Sequence, residues 1–216
     1  MADRDPLRQR LCAGLAALHL ELPDAAIATL LAYVELLHRW NATYNLSAVR
    51  DPAEMVTRHL LDSLAIAAQV RGASLADLGT GPGLPGVPLA IIAPERQVTL
   101  VDSKGKKTRF LRAAVRELGL KNVRVLESRV EAVEGTFDCI TARAFASLAD
   151  MLGWGGHLLG ANGVWLALKG RFPQDELAGV PDGFHVDAVV PLVVPGLDAE
   201  RHVVVIKRVV APQANG

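Results

Sequence analysis

The chain has 216 residues, half of them hydrophobic, and its 23 basic and 23 acidic side chains cancel to a formal net charge of zero. That length supports one domain, or one domain with a small extension, and a sizeable core. No apolar run reaches the roughly 18 residues of a spanning helix, so no membrane partner is expected, and the polar opening Met1 to Arg10 does not read as a signal peptide.

Residues 5 to 70 read as helical. Asp5-Pro6 opens one segment with Leu7, Leu11, Leu15 and Leu18 on a common face, and Pro23 opens a second with Ile27, Leu30, Leu31, Val34 and Leu37. A polar break is expected from Asn41 to Asn45. Asp51 then suits an N-cap with Pro52 in the first turn, starting a helix that runs through Val70. The polar face of Arg58-His59-Leu60-Leu61-Asp62-Ser63-Leu64 is either solvated, packed on the next domain, or placed at the mouth of a site. The expected division is an N-terminal helical extension over 1–72 and an α/β domain over 73–216.

After Gly72 short β runs alternate with helices, which implies a mostly parallel sheet. Strands are expected near 73–78, 97–102, 123–127, 137–142 and 164–169, with helices at 87–93, 105–118 and 148–158. Two further strands, 184–194 and 201–210, are joined by a loop around Pro195-Gly196-Leu197-Asp198, too short for a parallel crossover, so the last pair must be antiparallel. The last few residues are expected to fray.

The centre of this plan is Asp77-Leu78-Gly79-Thr80-Gly81-Pro82-Gly83-Leu84-Pro85-Gly86, a strand breaking into a glycine turn before a helix. Glycines 81, 83 and 86 match the dinucleotide fingerprint, with Asp102 about twenty residues on. Against a pyrophosphate stand Pro82, Pro85 and Pro88, which remove amide donors where a phosphate needs them, and the carboxylate of Asp77. S-adenosylmethionine, cationic and without phosphate, fits this loop better. The closing hairpin also departs from the second mononucleotide half that a dehydrogenase needs.

Asp102 ends the second strand, where an acidic residue accepts both ribose hydroxyl hydrogen bonds, and such a strand-end carboxylate should contribute little to packing. Glu131 follows the third strand, either as a helix-starting residue or as acceptor for the adenine amino group with Val130 against the ring. The fourth strand ends in Ile140-Thr141-Ala142-Arg143-Ala144-Phe145. The Asn/Asp-Pro-Pro-aromatic signature of exocyclic-amine methylation is absent, and Cys139, inside the strand, reads as buried rather than as a nucleophile. Cys12, in another apolar pattern far away, reads likewise as a reduced core residue of a cytoplasmic protein, and no zinc spacing is present. Arg143 is left standing in the site, and a guanidinium is no base. The acceptor should therefore own a free lone pair, as guanine N7 does, and need only alignment and exclusion of water.

Lys106, Arg109, Arg112 and Arg116 share one helix face opposite Phe110, Leu111 and Val115. They form either a solvated face or a dock for RNA phosphates. Lys169 and Arg171 add charge at the carboxyl end of the fifth strand.

Taken together, the chain resembles the bacterial ribosomal RNA small-subunit methyltransferase G family, also called glucose-inhibited division protein B. The resemblance is carried by Asn45 to Pro52, Arg58 to Leu64, Asp77 to Gly86, Val101-Asp102-Ser103, Lys106 to Arg112, Ser128 to Glu131, Arg143 to Leu148, Leu168-Lys169-Gly170 and Arg201-His202. Ser47 stands where the family often has threonine. The resemblance implies a Rossmann-like S-adenosylmethionine-dependent methyltransferase fold with an N-terminal helical extension. It also implies methyl transfer to N7 of one guanine in the decoding region of 16S ribosomal RNA, and cofactor contacts at Gly79, Leu84, Val130, Glu131 and Arg143. The expected substrate is small-subunit ribosomal RNA or the assembled particle, met by a cytoplasmic monomer without a metal. A methyltransferase of the same fold acting on another RNA or a small molecule, or a non-catalytic RNA-binding assembly factor, are the rival readings.

Overall fold

The computed structural model describes residues 5–143 and 146–209. Helix α1 (Pro6–Ala17) is capped by the Asp5 carboxylate, which accepts from the Leu7 amide, and α2 spans Asp24–Tyr44. The break expected from Asn41 lies instead after Tyr44, where Asn45 takes a left-handed conformation. Asn41 stays helical because its buried amide is used sideways, donating to the Val49 carbonyl and accepting from the Ser47 amide, so that it ties down the next loop.

The helix expected from Pro52 to Val70 is not one α-helix. It begins as α3 (Pro52–Met55) under an Asp51 cap, widens into π-helical Val56–Leu61, and continues as α4 (Asp62–Leu64) before a 3-10 turn at Ala67–Gln69. A π segment rotates the side chains that follow it relative to a straight α-helix, and such segments recur at functional sites.

The remaining helices are α5 (Gly86–Ile92), α6 (Gly105–Glu117), α7 (Leu148–Gly155) and the short α8 (Gln174–Leu177). Seven strands form one sheet: β1 (Ser74–Leu78), β2 (Gln97–Asp102), β3 (Val123–Glu127), β4 (Phe137–Arg143), β5 (Leu159–Lys169), β6 (Phe184–Pro191) and β7 (His202–Arg208). Their order is β3-β2-β1-β4-β5-β7-β6. Strands β1 to β5 are parallel, while β7 inserts antiparallel between β5 and β6, as the short final loop requires.

Strand β5 starts five residues earlier than the apolar pattern suggests. Gly160 and Gly163 run so close to β4 that a Cβ would meet the Phe137 carbonyl oxygen at 3.1 and 2.9 Å, and the register shifts between Phe137 and Cys139. Those glycines, which lie in the stretch between the expected helix and strand, are what a close backbone approach at a bulge requires.

Buried apolar residues form two clusters. One runs continuously from α1 and α2 (Leu11, Leu30, Tyr33, Leu37) through Leu60 and Leu64 to α5 and α6 (Val87, Leu89, Phe110, Leu111). The other, around Ala76, Ile140, Met151 and Trp165, includes α7 and β7. The helices at the amino end therefore share a core with the α/β layer they cover.

Candidate functional site

The glycine loop after β1 is fastened from below by Asp77. This carboxylate is fully buried; Oδ1 accepts from the Thr141 hydroxyl at 3.0 Å, while Oδ2 accepts from the Thr80 hydroxyl at 2.5 Å and the Gly86 amide at 2.8 Å. Burial pushes its pKa up to about 6, against the pull of those hydrogen bonds. Asp77 therefore holds the loop rather than facing a cationic ligand, as its position in the sequence suggests. Gly86 must be glycine, because a Cβ would meet Leu100 Cδ2 at 2.3 Å where α5 packs on β2.

From Thr80 to Val87 every amide is already engaged. Thr80 donates to the Val101 carbonyl, Gly81 to Asp102 Oδ2, Gly83 and Leu84 to the Thr80 carbonyl, Gly86 to Asp77 and Val87 to the Gly83 carbonyl; Pro82 and Pro85 have none to give. A pyrophosphate finds no free donor here. The loop is held from its other side by Tyr33 of α2, whose buried hydroxyl donates to the Pro82 carbonyl at 2.8 Å.

Above the loop lies a cavity of about 400 Å³ lined by Gly79, Val101, Asp102, Ser128, Val130, Glu131, Arg143 and Trp154, with Lys104, Lys107, Ser103 and Arg129 completing it. Five of the residues expected at the cofactor thus come together: Gly79, Asp102, Val130, Glu131 and Arg143. Gly81 adopts φ +63° with Lys107 Nζ 3.7 Å from where a Cβ would stand. Leu84 is buried in the core at the far end of the loop and is not part of the lining.

Asp102 is 6% exposed; Oδ2 accepts from the Gly81 amide at 3.0 Å and lies 3.5 Å from Lys107 Nζ, and Oδ1 accepts from the Lys104 amide at 2.9 Å. The expectation of a strand-end carboxylate with little structural role therefore fails, because it ties β2 to the glycine loop. A carboxylate offers about four acceptor positions; Gly81 and Lys107 take those of Oδ2 and the Lys104 amide one of Oδ1, so the capacity left for a ribose hydroxyl is at Oδ1. Val130 and Glu131 sit in a 3-10 turn after β3, with Val130 buried and Glu131 exposed at the rim. Sequence reasoning misses Trp154 of α7 and Lys107 of α6 as site residues. The available signals are a tryptophan between Gly153 and Gly155, and a lysine one residue off the basic stripe.

Arg143 ends β4, and the motif residues Ala144 and Phe145 that follow lie outside the described residues. Its Nη1 donates to Asp62 Oδ2 at 2.9 Å, and the other Asp62 oxygen accepts from Arg201 Nε at 2.7 Å. Asp62, 4% exposed, thus bridges the end of β4 and the residue before β7 from the end of the π segment. The polar face of that segment is packed inward, so of its three readings the solvated one is excluded for His59 and Asp62. His59 accepts or donates through Nε2 with Ser47 Oγ at 2.8 Å, and burial lowers its pKa to about 4.

Lys106, Arg109, Arg112 and Arg116 are exposed on α6, opposite buried Phe110 and Leu111. Three have local partners: Lys106 Nζ reaches the Tyr44 carbonyl, Arg109 Nε the Gly105 carbonyl, and Arg112 pairs with Glu127 at 3.2 Å. The Thr108 hydroxyl and then Arg112 hold the Glu127 carboxyl below its usual range. Lys169 serves as a brace, donating to the Ala146 carbonyl and to Glu176. Cys139 is buried, its thiol pushed up to about 11 by burial, whereas Cys12 is only half-buried; both are free. Among the described residues no group of three His, Cys, Asp or Glu side chains is placed to hold a metal, and no helix is long and apolar enough to cross a membrane.

Comparison with known proteins gives the same outline. A crystal structure of an S-adenosylmethionine-dependent methyltransferase from Aquifex aeolicus matches with a TM-score of 0.55 at 19% identity, over 72% of this chain and 93% of that one, which establishes the α/β Rossmann-like fold. The ribosomal RNA small subunit methyltransferase G of Stenotrophomonas maltophilia (strain K279a) is 60% identical over 196 residues, covering 89% of this chain and 91% of that protein. Its namesake from Xanthomonas campestris pv. campestris (strain 8004) is 57% identical over 197 residues, covering 90% and 92%. The model of the GidB family, described as rRNA small subunit methyltransferase G, matches residues 26–204, from α2 to within β7, and the chain belongs to that family.

Proposed function

We propose that this chain transfers a methyl group from S-adenosylmethionine to N7 of a guanine in the decoding region of 16S ribosomal RNA. The observation that carries this reading is Arg143 at the cavity edge with its acid already engaged. Asp62 is held by two guanidinium groups, and His59 is too weakly basic at about 4 to take a proton near neutrality. With neither Asp62 nor His59 free to act as a base beside Arg143, the arrangement suits an acceptor that needs none, and the family to which the chain belongs is named for ribosomal RNA.

The donor set fits the cofactor. When bound, S-adenosylmethionine supplies an electrophilic methyl group on a sulfonium. Asp102 accepts from a ribose hydroxyl, Val130 and Trp154 form apolar walls for a ring, and Glu131 accepts from the adenine amino group. Gly79, Gly81 and Leu84 shape the loop, with Gly81 leaving the approach free of a side chain. Arg143 aligns the reacting partners, and a misplacement of about 1 Å at such a point costs on the order of a hundredfold in rate. On the outer surface Lys106, Arg109, Arg112 and Arg116 dock phosphates of the RNA. The helices of 1–72 act as an extension to the 73–216 methyltransferase domain, and the protein works as a cytoplasmic monomer on the RNA or the assembled small subunit.

Mass mapping of small-subunit ribosomal RNA from cells with and without this protein tests the reading: one decoding-region guanine should lose its methyl group when the protein is absent. Calorimetry should show binding of S-adenosylhomocysteine and none of NAD. An unchanged modification map, or NAD binding at micromolar concentration, would overturn it.

A further inference from the structure

Arg143 belongs to two cavities. The second, of about 430 Å³, within the usual size of a small-ligand site, is lined by Arg58, His59 and Asp62 of the π segment and its end. Lys169 and Gly170 at the end of β5, and Arg201 and His202 at the start of β7, complete the part that matters here. Four cations, Arg58, Arg143, Lys169 and Arg201, stand in this wall against one carboxylate, Asp62. Glu54 and Glu176 pair with Arg58 and Lys169 from outside it.

Two further observations point to a ligand that is both aromatic and polar. His59 Nδ1 is buried and no group meets it with hydrogen-bond geometry, the Arg58 backbone acting on the ring only as a weaker polar neighbour. A buried polar atom left unpaired is costly and calls for a partner. Its ring is fixed by the Ser47 hydroxyl at Nε2, so Nδ1 offers whichever role, donor or acceptor, that bond leaves to it. Outside the lining itself, Phe172 is 46% exposed and stands against the lining residue His202, their rings edge-on at 5.6 Å. An exposed aromatic among cations is the usual platform for unstacked bases.

We propose that this second cavity receives the acceptor nucleotide: a guanine flipped out of an RNA loop, its phosphates on the arginines and a neighbouring base on Phe172. This rests on the reading of the protein as an RNA methyltransferase. The base enters along the side of Arg143 opposite the cofactor cavity, with His59 meeting a polar edge of the ring. The amino-terminal helices thus supply one wall of the acceptor site, and enzymes that modify a base routinely extrude it into such a pocket.

Gly170→Phe is the direct test. Gly170 lines the cavity with no left-handed backbone conformation, and a Cβ there would meet nothing nearer than the Glu200 carbonyl at 4.0 Å, so the position accepts a side chain at its first atom. With unmethylated small-subunit particles from cells lacking this protein as probe, Gly170→Phe should raise KM at least about tenfold, with affinity for S-adenosylhomocysteine unchanged by calorimetry. Phe172→Ala, on the exposed rim, should weaken particle binding about tenfold, the loss of roughly one stacked base. A Gly170→Phe enzyme that binds the cofactor product and methylates particles with the wild-type KM would overturn the proposal. Should Gly170→Phe fail to fold, an unchanged dissociation constant for Phe172→Ala would do the same. Failure of the wild-type protein itself to methylate the particles strikes the functional reading instead, and so is distinguishable.

Discussion

The two cavities that meet at Arg143 are walled in different ways. The cavity proposed for the cofactor lies over the ends of β1, β2 and β4 and the turn after β3, and the carboxylates that hold its floor and side are tied into the backbone: Asp77, beneath the loop, to Gly86, and Asp102, in the lining, to Gly81 and Lys104. The second cavity is closed by side chains from stretches far apart in the chain, clasped through Asp62 to Arg143 and Arg201, 81 and 139 residues away. One wall is rigid because local backbone hydrogen bonds fix it; the other depends on a few long-range ion pairs. On the proposed reading, chemistry that tolerates no misplacement takes the first kind of wall and a macromolecule that must be admitted and released takes the second.

Arg143→Gln attacks the boundary and should have the largest effect. Turnover should drop on the order of a hundredfold or more, and single-turnover methylation at saturating substrate measures it. Retained turnover would mean that the two cavities do not act together. Asp102→Asn addresses the cofactor side alone. It should weaken S-adenosylhomocysteine binding by about 1.5–3 kcal/mol, the range for hydrogen bonds to a charged group, and leave particle binding unchanged. Asp102→Ala is the poorer test, since it strands the Gly81 and Lys104 amides as well.

Acid separates the two sides by sign. His59, lowered to about 4, contributes stability that is full above its ordinary value near 6.5 and is lost as pH falls toward 4. Asp77, raised to about 6, does the reverse: its contribution is full below its ordinary value of 3.8 and is lost as pH rises through 6. Between pH 7 and 5 the loss due to His59 is about 2 kcal/mol. Urea unfolding at the two pH values should therefore show His59→Gln losing that much less than wild type on acidification. Equal losses would mean that the imidazole is not held neutral. The smallest effect belongs to the α6 stripe. Changing Arg109 and Arg112 to Gln should reduce the salt slope of particle binding by about 0.7–0.9 for each phosphate no longer neutralised. No change would leave the stripe as a solvated face, consistent with Arg112 already being paired to Glu127.

The same contrast explains what is legible in the chain. The loop, Asp102 and the closing hairpin are local in sequence, where glycine spacing and a short connection have one physical meaning. The role of Asp102 in anchoring Gly81, 21 residues away, is not local, and by sequence its carboxylate looks dispensable to the fold. Reading the clasp of Asp62 requires knowing that β7 inserts beside β5, which no periodicity reports. The π segment hides because Arg58 to Leu64 satisfies a helical pattern whether the turn closes at four residues or five. The glycines opening β5 hide because a close backbone approach and a turn draw on the same residue.

The hydrogen bond from Tyr33 to the Pro82 carbonyl carries a consequence for how the chain can be cut or grafted. A helix laid over a nucleotide-binding loop is easily taken for a detachable ornament, and a trimmed chain beginning at β1 for a minimal enzyme. With the Tyr33 ring fully buried between α2 and the loop, trimming would bare that carbonyl and the apolar surface beneath it and leave the glycine turn without its outer support. Loop amides in the intact chain should then exchange with solvent only when α2 itself detaches, as one cooperative unit. The same sheet placed under a different helical cover would have to evolve its own buttress before it could hold a cofactor.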